Sequence, residues 1–171
     1  MERAMPKYIF DRIEDITVDD LKKMGAEAVG IDLDNTTVTD ASYRAKDGIN
    51  DWIESVRSSG IPVIIVSNTY HFRAKFFSKK FRVPYFAMSN KPKSKNIIRA
   101  AEKTDVPIEK FAMIGDQLFA DVLGANNCGA ISVWVRPFMK EKVFAGKFAK
   151  RRQREREFCK KHGIEYKEIE K

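Results

Sequence analysis

Asp32 and Asp34 stand two apart in Asp32-Leu33-Asp34-Asn35-Thr36, which closes the apolar run that begins at Ala28. Ser67-Asn68 closes a second run, Ile61 to Val66, and Lys91-Pro92 stands just ahead of a helical pattern. Gly115-Asp116 follows a third run, Phe111 to Ile114, with Asp121 five residues further on. Three carboxylates gathered near one point repel one another unless a cation is present. Hard oxygen ligands suit Mg²⁺, which keeps several waters and favours phosphate-bearing partners. One carboxylate can then attack phosphorus, and a second acid two residues on can protonate the leaving oxygen and later deprotonate water. A lysine and a hydroxyl can bind the phosphoryl oxygens. Each piece alone has a plainer explanation. Acids and serines at strand ends often cap the next helix, and a lone lysine is usually solvated. Together, in this order and all at strand ends, coincidence explains them poorly.

The elements between these residues must bring them together. The runs Ala28–Leu33, Ile61–Val66, Val83–Ala87, Phe111–Ile114 and Ile131–Val135 read as strands. Ile61–Val66 shows no polar alternation, so both its faces are expected to be buried, as in a parallel sheet. Helical spacing of apolar residues runs through 46–59, 72–81, 93–103 and 117–127. Strands alternating with helices predict right-handed βαβ units and a five-stranded parallel sheet covered on both faces. In such sheets ligands bind beyond the carboxyl ends of the strands, where every polar residue above falls. Ahead of this unit, Thr17-Val18-Asp19-Asp20 predicts a capped short helix reaching Met24. The stretch before Thr17 is polar and irregular.

Composition narrows the alternatives. The chain has 171 residues, 43% hydrophobic and 33% charged, enough for one packed domain. Two cysteines, Cys128 and Cys159, exclude a disulfide scaffold, and two histidines make a multi-histidine metal site improbable. Cys128 reads as a small buried residue, Cys159 lies in the charged tail without a partner motif, and His71 reads as a surface residue. No apolar stretch reaches membrane-span length, and residues 1–20 lack a secretory apolar region, so a cytoplasmic protein is expected. Neither a P-loop nor a Gly-x-Gly-x-x-Gly motif is present.

The ordered motifs resemble the haloacid-dehalogenase (HAD) superfamily of phosphohydrolases. Their wording, Asp32-Leu33-Asp34-Asn35-Thr36, Val66-Ser67-Asn68, Lys91-Pro92 and Gly115-Asp116 through Asp121 to Gly124, looks like its subfamily IIIA phosphatases of the YqeG type. The resemblance spans about Gly25 to Pro137. It implies a Rossmann-like three-layer α/β/α fold with a minimal cap. It also implies Mg²⁺-dependent hydrolysis of a phosphate monoester through an aspartyl-phosphate. By it, Asp32 matches the nucleophile, and Asp34 the general acid/base whose backbone carbonyl also meets Mg²⁺. Thr36 matches the hydroxyl that steadies the loop. Ser67 matches the phosphoryl-binding residue, supported by Asn68, and Lys91 the motif lysine, with Lys93 as the fallback. Asp32 and Asp116 match direct metal ligands, and Asp121 a supporting acid. Thr37 and Thr69 depart from the usual apolar residue and second asparagine, which bears on substrate preference rather than on the reaction.

The spacing leaves no room for an inserted cap domain. An open site suits a large or lipid-linked phosphate ester, and relatives include a phosphatase acting on phosphatidylglycerophosphate. The charge is uneven, with 12 Lys+Arg and 6 Asp+Glu between Lys140 and Lys171. This divides the chain into a phosphatase domain, 1–143, and a basic helical tail, 144–171. The tail is expected to form a solvated charged helix from Ala145 to His162, with Phe144, Phe148 and Phe158 available to dock it on the body or dip into lipid. A competing function follows from that charge: a protein that binds RNA or an acidic membrane through its tail, with phosphatase activity secondary or absent.

Overall fold

A computed structural model describes residues 2–39, 41–138 and 145–167. Its centre is a fully parallel sheet of β1 (Tyr8–Phe10), β2 (Ala28–Ile31), β3 (Val63–Val66), β4 (Tyr85–Phe86), β5 (Phe111–Gly115) and β6 (Ile131–Val135). The strand order is β1-β6-β5-β2-β3-β4. The helices are α1 (Val18–Lys23), α2 (Ile49–Ser58), α3 (His71–Phe81), α4 (Lys95–Lys103), α5 (Leu123–Cys128) and α6 (Ala145–Lys161). The expected three-layer α/β/α arrangement is borne out.

The period-two geometry of a strand sends alternate residues into two separate cores. Val29, Ile31, Val63, Ile65, Ala112 and Ile114 pack with Trp52, Ile53 and Val56 of α2 and Phe77 of α3. Ala28, Ile64, Val66, Phe111 and Met113 pack on the other side with Ile97, Ala100 and Ala101 of α4. Gly30 is small for a packing reason: a Cβ there would lie 2.7 Å from the Phe111 ring. With both faces covered, the sheet offers a ligand only its ends. The carboxyl ends of the neighbouring strands β2, β3 and β5 carry Asp32, Ser67 and Asp116.

The Thr17 cap forms as expected: Asp20 N–H donates to Thr17 Oγ1 at 3.1 Å and Thr17 N–H donates to Asp20 Oδ2 at 2.9 Å. Three expectations need correction. Among the described residues the sheet has six strands, not five, because Tyr8–Phe10 pairs with β6 from Tyr8↔Val133 to Phe10↔Val135. A three-residue edge strand with Tyr8 and Ile9 both exposed has no buried face to mark it in the sequence. The helix expected from 117 is interrupted: a π-helical turn, Leu118–Val122, precedes α5. Finally, the C-terminal helix is not solvated all round. Phe158 and Cys159 are buried in a third cluster with Ala4, Leu118, Val122 and Trp134. Its inner face also carries Arg152 and Glu155, both buried, so the face is helical in spacing yet too charged to stand out as an apolar stripe. The boundary expected between 143 and 144 lies outside the described residues, as do Phe144 and the side chain of Phe148.

If α6 is seated through Phe158, Phe158→Ala leaves a cavity and destabilises the fold by about 3 kcal/mol. Urea unfolding followed by circular dichroism checks this. An unchanged midpoint would return α6 to the solvent.

Candidate active site

Asp32 follows β2 directly, and its N–H donates to Ile114 O at 3.0 Å. The chain then folds back on itself. Leu33 O accepts from Thr36, Thr37 and Val38 N–H, and Asn35 takes the left-handed conformation (φ 57°). Thr37, the departure from the expected apolar residue, donates its hydroxyl to Asp32 O at 2.9 Å. Its hydroxyl is thus used to hold the loop that bears the first aspartate.

Lys91 joins the strand ends. Its backbone is clamped by Asn68, whose Oδ1 accepts from Lys91 N–H at 2.9 Å and whose Nδ2 donates to Lys91 O at 3.4 Å. The buried side chain donates from Nζ to Val66 O at 2.7 Å and ion-pairs with Asp32 Oδ1 at 3.0 Å and Asp121 Oδ1 at 2.5 Å. Lys93 is exposed, so Lys91 and not the fallback is the lysine that meets the acids. Ser67 is buried beside it, its Oγ accepting from Thr69 N–H at 3.3 Å.

Asp116 and Asp121 come from one end of β5. The π-helical turn brings Asp121 back under Gly115, with Asp121 Oδ2 accepting from Gln117 N–H at 3.0 Å. This return depends on glycine, since a Cβ on Gly115 would lie 2.2 Å from Asp121 Cγ. Thr36 Oγ1 donates to Asp116 Oδ1 at 3.4 Å, tying the two loops together. Carboxylate oxygens of Asp32, Asp116 and Asp121 all lie within 4.8 Å of one another, and all three residues are buried. Burial pushes the Asp116 carboxyl up to about 8; Arg152 opposes this, and the charges on Asp121 and Asp32 add to it. Burial likewise lifts Asp121 to about 6 against the pull of Lys91. Burial alone would make the Lys91 ammonium more acidic, but Asp121 and Asp32 outweigh it and hold the charge. A set of buried, mutually repelling oxygen donors fits a hard divalent cation.

Two arginines escaped the sequence reading. Arg152 of α6 donates from Nη2 to Asp116 Oδ2 and from Nη1 to Asp116 O at 3.1 Å and Glu155 Oε2 at 2.6 Å. Glu155 ion-pairs with Arg152, and its Oε1 accepts from Leu118 N–H at 3.0 Å. In the sequence Arg152 is one of several basic residues on a charged helix, and nothing singles it out. Arg73 of α3 is also buried. It grips Asp34 with both ends of its fork, each at 2.6 Å, and donates to Ser42 O and Thr69 Oγ1. Thr69, the second departure, therefore serves Arg73. The Asp34 carboxylate is turned to Arg73 rather than to the group of three acids. Asp121, expected only in support, stands in that group. His71 is exposed, Cys128 half-buried and Cys159 buried.

The family model described as mitochondrial PGP phosphatase matches residues 2–140. The Bacillus subtilis protein named Probable phosphatase YqeG is 33% identical over 150 residues, 88% of this chain and 87% of that protein. The Saccharomyces cerevisiae protein named Phosphatidylglycerophosphatase GEP4, mitochondrial, is 34% identical over 107 residues, 55% of this chain and 57% of its own length. Among solved structures, the cobalt-bound deoxy-D-mannose-octulosonate 8-phosphate phosphatase of Haemophilus influenzae aligns with a TM-score of 0.54 at 17% identity, covering 63% of this chain and 68% of that one. An uncharacterized Listeria monocytogenes protein aligns at 0.55 and 18%, covering 68% and 84%. At these identities the structures share the fold.

Two outcomes follow. In the unfolded chain Asp116 and Asp121 return to about 3.8, so between about pH 4 and 8 the fold binds more protons than the unfolded state. Stability of the cation-free protein should fall as pH rises through that window, and added Mg²⁺ should raise the melting temperature most at its alkaline end. Thermal unfolding from pH 5 to 8, with chelator and with Mg²⁺, reads both; a flat profile contradicts the strained acid cluster. Gly115→Ala should cost about 1–3 kcal/mol by overpacking against Asp121, and an unfolding midpoint equal to wild type would show that Asp121 is not seated there.

Proposed function

The chain belongs to the PGP phosphatase family of HAD-like phosphatases, and from that premise we propose that it hydrolyses a lipid-linked phosphate monoester, phosphatidylglycerophosphate, through Asp32. The observation that carries this is the meeting of Asp32, Lys91, Asp116 and Asp121 in one buried cluster at the strand ends. The family description and the yeast relative's name support the choice of lipid.

In this proposal Asp32 attacks phosphorus while the bond to the lipid oxygen breaks. Asp34 gives that oxygen a proton. Asp34 then takes a proton from water, which attacks the phosphoryl group on Asp32 and releases inorganic phosphate with the aspartate restored. Lys91 and Ser67 bind the phosphoryl oxygens. Asp32, Asp116 and the backbone carbonyl of Asp34 would hold Mg²⁺, which when bound offsets negative charge on the phosphoryl group. Asp121 and Asn68 support by fixing Lys91, and Thr36 by joining the Asp32 loop to Asp116. Both Asp34 oxygens are engaged by Arg73, so Asp34 reaches the leaving oxygen only after that pair opens. The proposed location is a cytoplasmic protein working at a membrane face. No described helix is long and apolar enough to cross a membrane.

Asp32→Asn should lower kcat at least about a thousandfold on both phosphatidylglycerophosphate and an aryl phosphate, and the wild type should lose activity with a chelator and regain it with Mg²⁺. Phosphate release measures both. Activity surviving the substitution would eliminate Asp32 as nucleophile, and activity on the aryl ester without any on the lipid would eliminate the substrate.

A further inference from the structure

We propose that the exposed face of α3, with Tyr43 and Met88 beside it, is the surface by which the protein sits on an anionic phospholipid bilayer, a proposal that rests on the lipid substrate inferred above. The first observation is apolar. Tyr43, Tyr70, Phe72, Phe76 and Met88 are exposed, Tyr70 and Phe72 to 65%. They come from three segments on one side of the site. Tyr43 lies in the loop after Asp34, Tyr70 to Phe76 follow Ser67, and Met88 follows β4, where its N–H donates to Thr69 O at 2.9 Å. The rings of Tyr43 and Phe76 meet edge-on at 4.9 Å, and those of Tyr70 and Phe72 stack at 5.9 Å.

The second observation is charge. From Ser55 to Ala101 the sequence holds ten Lys and Arg and no Asp or Glu. Arg73 and Lys91 are used inside, while Lys75, Lys79, Lys80 and Arg82 stay exposed on and just after α3, and Lys93 and Lys95 on the turn that follows the site lysine. Phe72, Lys75, Phe76, Lys79 and Lys80 share the outward face of α3 by their three- and four-residue spacing. Aromatic side chains beside lysines, with no acid between Ser55 and Ala101, suit a negatively charged headgroup layer: the rings enter the interface and the ammonium groups meet lipid phosphates. Rings that already face one another offer no open platform for nucleotide bases, which favours a bilayer over RNA. The contact places the mouth of the site toward the lipid, because Arg73 links the same helix to Asp34. It also moves the membrane contact from the C-terminal basic helix, whose Arg152 and Glu155 are committed inside the protein, to α3.

Co-sedimentation with phosphatidylcholine vesicles, with and without phosphatidylglycerol, tests this on the full chain. Wild type should bind only the anionic vesicles. Tyr70→Ser/Phe72→Ser and, separately, Lys75→Glu/Lys79→Glu should each weaken binding at least about tenfold while aryl phosphate hydrolysis stays within about twofold of wild type. The charge pair is the check should the aromatic pair fold poorly. The proposal is overturned if wild type does not bind, if it binds RNA in place of vesicles, if both α3 variants bind as wild type does, or if Lys160→Glu/Lys161→Glu on α6 abolishes binding instead. Vesicle binding without lipid hydrolysis would remove the substrate and keep the surface. Hydrolysis of detergent-dispersed lipid without vesicle binding would do the reverse.

Discussion

An ammonium group buried between two carboxylates fixes the architecture of this site. Lys91 is enclosed, and no solvent compensates its charge; Asp32, Asp121 and the Val66 carbonyl do. Removing one partner of such a group leaves an uncompensated buried charge and typically costs several kcal/mol. The lysine therefore cannot wander, nor can the strands that present its partners. Val66 belongs to β3, Asp32 follows β2 and Asp121 follows β5, so one side chain registers three neighbouring strand ends against one another. Asn68 completes the clamp by holding the Lys91 backbone at both its N–H and its carbonyl.

The remaining acid of the cluster is balanced from further away. Asp116 is met by Arg152, and Arg152 is in turn met by Glu155, which holds the first N–H of the π-helical turn. A chain of alternating charge thus runs from the sheet end into α6. Trp134 donates to the Asp116 carbonyl at 2.9 Å and packs in the cluster that receives Phe158 and Cys159. The C-terminal helix belongs to the electrostatics of the site, since an acid lifted by burial is partly restrained by a guanidinium carried on that helix.

This division explains what the sequence could reveal. Strands buried on both faces leave uninterrupted apolar runs, and an acid ending such a run is conspicuous, so Asp32, Ser67, Lys91, Asp116 and the parallel sheet were legible. The Thr17 capping box was legible for the same local reason: its partners are three residues apart. Tyr8–Phe10 was not, because an exposed edge strand takes its identity from the neighbour it pairs with, more than 120 residues away. Arg73 and Arg152 were hidden by their type. An arginine on a helix has the pattern of a solvated charge, and only tertiary packing shows that its partner is an aspartate 39 or 36 residues distant. The place of Asp121 within the buried cluster was not legible, because it depends on the π-helical return under Gly115, which sequence spacing does not display.

The two arginines differ in what they leave open. Arg152 binds a carboxylate whose oxygens belong to a closed, buried cluster, and it is itself fixed by Glu155, so its position is determined from both sides. Arg73 binds the one site aspartate with appreciable exposure, its side chain 26% accessible, and its other partners are a carbonyl and a hydroxyl with no charge to lose. The Arg73–Asp34 pair is thus the most exposed of the site's ion pairs. It is also the one that joins the Asp32 loop to α3, and so joins the rigid part of the site to the face that carries its exposed aromatic and basic side chains.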